Sequence, residues 1–284
     1  MSSSWTHFTL DRRSASYWRV TFCHPPINTI TATTVSELSD LATLIERDTR
    51  LNVVVFDSAN PDFFLAHYDM ENDPSKTAAL GNGPTGMPAW IDVLVRLSRA
   101  PVVTIASIRG RARGAGSEFV LACDLRFGSR ENTLLGQFEV GIGVVPGGGP
   151  MARLARLVGR GRALEILLVA DDFDGPRAEQ YGYVNRVIVD DQLDAEVEAI
   201  ASRLARFDHD AIARTKSYVD QVTLPADREF PPALDDFRKL FGRPAQQAHW
   251  AQLQTLGLNT DSELERHLGR RVAERGPDPA IAQA

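Results

Sequence analysis

The chain has 284 residues, 43% of them hydrophobic, enough for one large core or a core with an appendage. A net charge of −6 argues against nucleic acid and other polyanions as partners. Its two cysteines, Cys23 and Cys123, lie in apolar runs and read as buried thiols in a reducing compartment, which sets aside a disulfide framework or a cysteine metal cluster.

The opening, MSSSWTHFTL, lacks the basic and apolar blocks of a signal peptide, and no apolar run reaches the roughly 20 residues that span a bilayer. A soluble cytoplasmic protein is expected, with no membrane partner. Residues 7–11 and 16–23 have the short β-favouring character of a hairpin, which His24-Pro25-Pro26 stops. Across 31–48, Val35, Leu38, Leu41 and Ile45 recur at spacings of three and four, predicting an amphipathic helix capped by its Thr/Ser-rich start. Residues 51–57 are too apolar for a surface strand and predict a buried one.

After Phe63–Met70, residues 71–88 are polar and rich in Gly and Pro, hence loop-like. Residues 90–97 return to helix, and 102–106 form another buried strand. Beyond the central stretch, 150–157, 160–169 and 174–181 read as helices and 183–189 as a strand. From 190 onward the pattern is helical over 193–207, 211–222, 227–253 and 262–273, with no Gly/Ser linker. The expected division is a core with the active site over 1–190 and a docked helical oligomerisation or lid subdomain over 191–284. Periodicity alone gives an α/β class.

Everything is organised around residues 108–149, IRGRARGAGSEFVLACDLRFGSRENTLLGQFEVGIGVVPGGG. The turn Gly114-Ala115-Gly116 runs straight into an apolar helical segment, so it should end as a helix N-terminus with free backbone N–H groups. Glu118 sits in the first turn of that helix and Glu139 follows a strand-like return, so two carboxylates and a set of N–H donors share one pocket. Taken singly, Glu118 is a partner for the helix dipole and Glu139 an exposed strand-end acid. Together, flanked by Gly114–Gly116 and by Pro146-Gly147-Gly148-Gly149, they favour a catalytic pair. The Gly147–Gly149 run lacks the Lys-Ser/Thr of a phosphate loop and points to close packing of a helix. Ser117 has no nucleophile-elbow context, and His7, His24, His209, His249 and His267 show no ligand spacing, so no metal site is expected.

The runs GAGSEFVLACDLRF, LLGQFEVGIGVVPGGG, MARLARLVGRGRALEILL and AEQYGYVNRVI resemble the signature of the enoyl-CoA hydratase/isomerase, or crotonase, family, from about Trp18 to Val189. That resemblance implies a crotonase-like spiral of ββα turns with a C-terminal helical subdomain. It also implies an oxyanion hole from the backbone N–H groups of Ala115 and Tyr68, a catalytic pair Glu118 and Glu139, and substrate contacts at Ala66, Gly114 and Gly147. Phe63–Met70 matches a second family run, with His67 where the family has Gly. His67 is open as a third hydrogen-bond donor, a general base, a specificity wall or a turn residue facing away. Tyr68 either lines the acyl pocket with its phenol or fills space. Arg109, Arg111 and Arg113 alternate along an extended segment; a solvated or intersubunit salt-bridged edge is the stronger account, contacts to CoA phosphates the weaker.

The activity implied is reversible hydration of a 2-enoyl thioester, with coenzyme A as part of the substrate, no tightly bound cofactor, and trimers or pairs of trimers. A second reading keeps the hole and changes the reaction to isomerisation or C–C bond chemistry on a carbonyl substrate without CoA. The His67-Tyr68 pair motivates it, as does a tail that only echoes family runs in Asp261-Ser262-Glu263 and Arg270-Arg271. A third is a non-catalytic scaffold of the same fold, against which retention of both glutamates weighs.

Overall fold

The computed structural model describes residues 5–70 and 74–274; readings that fall on 1–4, 71–73 and 275–284, including the first residues of the N-terminal stretch and of the 71–88 loop, lie outside the described residues. An antiparallel pair opens the chain, β1 (Phe8–Arg12) and β2 (Tyr17–Phe22), with Phe8 opposite Phe22. Helix α1 (Ala32–Arg47) begins on a reciprocal cap: Thr34 N–H donates to the Thr31 hydroxyl, and Thr31 N–H to the Thr34 hydroxyl. Val35, Leu38, Leu41 and Ile45 are all buried, as their spacing requires.

Three ββα turns follow. The first is β3 (Val53–Ser58), β4 (Phe63–Leu65), α2 (Pro74–Ala79) and α3 (Ala89–Arg99). Next come β5 (Val103–Ile108), β6 (Arg111–Arg113) and α4 (Ala115–Ala122). The third is β7 (Leu125–Ser129), β8 (Leu134–Gly136), a 3₁₀ turn (Glu139–Ile142), α5 (Pro150–Val158) and α6 (Arg160–Val169). Strand β9 (Phe173–Asp174), α7 (Gly175–Tyr181) and β10 (Arg186–Ile188) close the spiral. The rest is α8 (Leu193–Leu204), α9 (His209–Thr223), α10 (Pro231–Phe241), α11 (Pro244–Thr255), α12 (Glu263–Arg266) and α13 (Leu268–Glu274).

Each turn sends its first strand to one sheet and its second to another. The six-stranded sheet has the order β1-β2-β3-β5-β7-β10 and the four-stranded sheet β4-β6-β8-β9. All pairings are parallel except β1–β2 and β8–β9. This is the ββα spiral that the resemblance implies.

Strand β3 is covered on both faces, which is why its sequence is a continuous VVVF run rather than an alternation. Val54 and Phe56 pack with Phe22, Phe64 and Phe119; Val53 and Val55 pack with Tyr17, Ile105 and, from α8, Leu193 and Val197. Phe119 of α4 is fully buried, its ring 5.3 Å from Phe22 and 5.0 Å from Phe56 in near-perpendicular contacts. Phe119→Ala should therefore cost about 3–5 kcal/mol, since a rigid aromatic cluster collapses poorly onto a void. A urea midpoint unchanged from the wild type would contradict that packing account.

Some readings need correction. The 71–88 segment contains a helix, α2, where Gly and Pro suggested loop throughout. The single helix read over 227–253 is broken at Gly242: Pro244 occupies the first turn of α11, where a missing N–H costs nothing. Cys123 is buried, its thiol pushed up to about 12 by burial, whereas Cys23 is only half-buried. Among the described residues, no helix is long and apolar enough to cross a membrane.

Candidate active site

Strands β4, β6 and β8 are parallel neighbours, so their carboxyl ends share one edge. Tyr68 lies just beyond β4, Ala115 opens α4 just beyond β6, and Glu139 opens the 3₁₀ turn just beyond β8. Gly116 makes the convergence tight: a Cβ there would sit 2.0 Å from the Leu65 carbonyl oxygen and 3.0 Å from that of Ala66. Ala115 is the first residue of α4, where helical N–H groups have no partner within the helix. The Tyr68 segment bridges Ile30 through Ile30 N–H to His67 O and Asp69 N–H to Ile30 O, both at 2.8 Å. That pairing turns the Tyr68 N–H to the opposite side of the segment.

Glu118, one helical turn on from Gly114, is almost fully buried. Its Oε1 accepts from Gly148 N–H at 2.7 Å and its Oε2 from the Trp90 indole N–H at 2.8 Å. A Cβ at 148 would meet Glu118 Oε2 at 2.0 Å, so any larger residue there would displace the carboxyl from its place. Burial pushes the Glu118 carboxyl above the usual carboxylate range, and those two donors pull it part of the way back. Burial, and next the neighbouring charge of Glu118, hold Glu139 well above that range. Behind Glu139 lies a chain of buried polar groups. With its amide nitrogen facing Glu139, 3.1 and 3.2 Å from the two carboxyl oxygens, Gln137 accepts from Ser117 Oγ at 3.1 Å, and Ser117 also bonds the Tyr183 hydroxyl.

The two glutamates face a cavity of about 410 Å³. His67, Tyr68, Gly114, Ala115 and Gly147 line it too, and aromatic rings of Trp90, Phe138, Phe237, Phe241 and Trp250 make it largely apolar. Ala66 stands behind the wall, its N–H on Asn28 O at 3.2 Å and its carbonyl taken by Arg113 N–H at 3.0 Å. A larger concavity, about 750 Å³, lies beside α9 and holds neither glutamate. Among the described residues, no three His, Cys, Asp or Glu side chains are grouped to hold a metal ion.

A sequence model of the enoyl-CoA hydratase/isomerase family matches residues 12–252. The chain belongs to that family. Among its relatives, the crotonyl-CoA hydratase of Syntrophomonas wolfei is 28% identical over 222 residues, spanning 78% of this chain and 84% of its own. A short-chain-enoyl-CoA hydratase of Clostridium acetobutylicum is 30% identical over 185 residues, 63% of this chain and 67% of its own. The crystal structure of an enoyl-CoA hydratase candidate from Streptomyces avermitilis, 42% identical, superposes with a TM-score of 0.90 over 96% of this chain and 98% of its own. The protein is thus an enzyme of the crotonase superfamily with the crotonase fold.

Within that family frame, the backbone at His67 stays out of the positive-φ region, so a turn built with Gly in the signature is made here without strain. Both ring nitrogens of His67 are engaged: Nε2 lies 2.7 Å from Glu265 Oε1 and Nδ1 lies 3.1 Å from Tyr68 O. The arginine reading needs correction at Arg113, because Arg109 does lie in a part-exposed salt-bridged edge while Arg113 does not. Arg113 is buried and paired with Asp172 at 2.6 Å; Arg111 donates to the Arg266 and Asp62 carbonyls; Arg109 pairs with Asp190 and Asp194. Trp90 and Glu265 are functional-site neighbours that sequence reasoning missed. Trp90 carried a weak signal, a tryptophan at the start of a helix after a Gly/Pro-rich stretch; Glu265 carried none, 198 positions from its partner.

Proposed function

We propose that this enzyme adds water reversibly across the α,β double bond of a 2-enoyl-CoA thioester, the activity printed in the names of its hydratase relatives. The observation that carries the reading is the pair of buried carboxylates on one cavity with unequal surroundings. Glu118 has two fixed N–H donors that favour its anion, while Glu139 is held toward its protonated form.

In this reading Glu118 takes a proton from water as its oxygen bonds the β-carbon. The electron pair of the double bond moves through the α-carbon into the thioester carbonyl, and the enolate oxygen is held by the Tyr68 and Ala115 N–H groups. Glu139 then gives its proton to the α-carbon, and dehydration runs the same steps backward. Each backbone donor near 3 Å from the developing charge contributes about 2.7–4 kcal/mol to lowering the barrier. Isomerisation would need only one proton-transferring glutamate, so two engaged with one cavity favour hydration. The resemblance further implies a trimer or a pair of trimers, an expectation that a light-scattering mass decides.

The direct test is loss of conjugated-thioester absorbance when the enzyme meets crotonyl-CoA and longer or aromatic 2-enoyl-CoAs. No turnover with any of them would sink the proposal. Trp90 supplies a second check. Trp90→Phe keeps the ring and deletes the N–H, and a hydrogen bond to a charged acceptor is worth roughly 1.5–3 kcal/mol. The Glu118 carboxyl should rise by about one to two pH units, since 1.36 kcal/mol corresponds to one unit. Because Glu118 acts as its anion, the acidic limb of kcat/KM should move to higher pH; an unmoved limb would remove Glu118 as the base.

A further inference from the structure

Both segments that carry the proposed oxyanion donors are fastened from behind by a single turn of the C-terminal chain. On one side of Tyr68, His67 Nε2 lies 2.7 Å from Glu265 Oε1; on the other, Asp69 Oδ1 accepts from Asn259 Nδ2 at 3.0 Å. Asn259 also donates its backbone N–H to the same Glu265 oxygen at 2.8 Å. On the second segment, just before Gly114 and Ala115, Arg113 Nη1 donates to the Glu265 carbonyl at 2.7 Å, while its Nε and Nη2 grip Asp172 at 2.6 and 2.7 Å. Glu265 is completely buried, and His67 and Arg113 are each 2% exposed.

The charge state of the linkage follows from its geometry. Each ring nitrogen of His67 faces an oxygen that has no hydrogen to give, the Glu265 carboxylate and the Tyr68 carbonyl, so only the imidazolium satisfies both. Burial works against that cation, but the Glu265 charge and the two hydrogen bonds outweigh it and lift His67 above its ordinary value, with Arg113 opposing. Burial likewise works against the Glu265 anion, and His67 with the Asn259 N–H more than compensates. The turn is seated by an apolar cluster in which Leu264, Leu268 and Val272 pack with Phe138 and Ile142, the residues that bracket Glu139.

We propose that the turn around Glu265 is a clasp that sets the separation of the two oxyanion donors, with His67, Asn259 and Glu265 as positioning residues; the inference rests on Tyr68 and Ala115 being those donors. The hydrogen bonds leave His67 no nitrogen for proton transfer to substrate, and they tie the hole to a segment distant in the chain. Two donors must meet one oxygen, and a displacement of about 1 Å can cost about 10²-fold in rate, so the clasp acts on kcat rather than on KM.

The test uses the full-length enzyme and a conjugated aryl-acryloyl CoA thioester, whose absorbance moves to the red when bound donors polarise its carbonyl. Glu265→Gln keeps the side chain's size and removes its charge. Asn259→Gly keeps the backbone N–H and the positive φ of +64° while deleting the bond to Asp69. Both variants should be folded by circular dichroism and lose roughly 10- to 100-fold in kcat, with KM changed less than about twofold and the red shift diminished. A folded variant that keeps the wild-type kcat and the full red shift overturns the clasp. Should Glu265→Gln fail to fold, Asn259→Gly decides alone, because it leaves the ion pair intact. Wild-type enzyme that neither turns over 2-enoyl-CoAs nor shifts the chromophore overturns the hydratase reading itself, and the clasp with it.

Discussion

Glu139→Gln should make the enzyme more stable at pH 7–8 while lowering kcat by about 10²- to 10⁴-fold, the range a positioned acid contributes. The activity loss follows because an amide cannot give a proton to the α-carbon. The stability gain has a defined sign. Burial, and then the charge of Glu118, raise the Glu139 pKa well above its ordinary 4.5, so the folded protein binds a proton there that the unfolded chain has released. Across that window stability falls as pH rises, and it is fully present only below about 4.5, where the carboxyl is protonated in both states. Glutamine resembles the protonated acid at every pH. The variant's melting temperature should therefore match the wild type near pH 4.5 and exceed it progressively as pH rises. Glu118 titrates together with Glu139, so the midpoint of that divergence belongs to the pair. A difference in melting temperature that stays constant between pH 4.5 and 8 would mean Glu139 is not held protonated, and retained turnover would remove it as the acid.

How much of this site the sequence disclosed depends on how far apart its parts lie in the chain. The Gly114–Glu118 turn is local: small residues feeding an apolar helix mark an N-terminus with free N–H groups, and the structure puts α4 there. The buried strand β3 and the capped helix α1 were legible for the same reason, since composition and spacing act within one element. Trp90 was not, because its indole reaches Glu118 across the space between α3 and α4, a relation no periodicity encodes. Arg113 misled the reading in a different way. Alternating charges suggest a wet edge, yet the partner that makes burial tolerable, Asp172, lies 59 positions on, just before β9 of the same sheet. The break at Gly242 was hidden because apolar residues continue on both sides of it, and only Pro244 marks a new start.

Gly116→Ala should lower kcat by about 10²- to 10³-fold with little change in KM, although helix propensity alone favours alanine by about 1 kcal/mol. Packing decides against propensity here. The added Cβ would lie 2.0 Å from the Leu65 carbonyl oxygen, 2.8 Å from its carbon and 3.0 Å from the Ala66 oxygen. All three obstacles are backbone, so no side chain can swing aside, and β4 and α4 must separate by about 1 Å or more, at a cost of roughly 1–3 kcal/mol in stability. Tyr68 follows β4 and Ala115 opens α4, so that separation is the distance between the two donors of the hole. Gly161 provides the contrast: it sits in α6 with nothing within 4 Å of an added Cβ, so Gly161→Ala should stabilise by up to about 1 kcal/mol and leave turnover alone. Wild-type kcat in Gly116→Ala would show that contact between β4 and α4 does not set the geometry of the hole. Loss of kcat there, with none in Gly161→Ala, would trace the geometry of the hole to the backbone approach of β4 and α4, leaving the proton transfers to the Glu118 and Glu139 side chains.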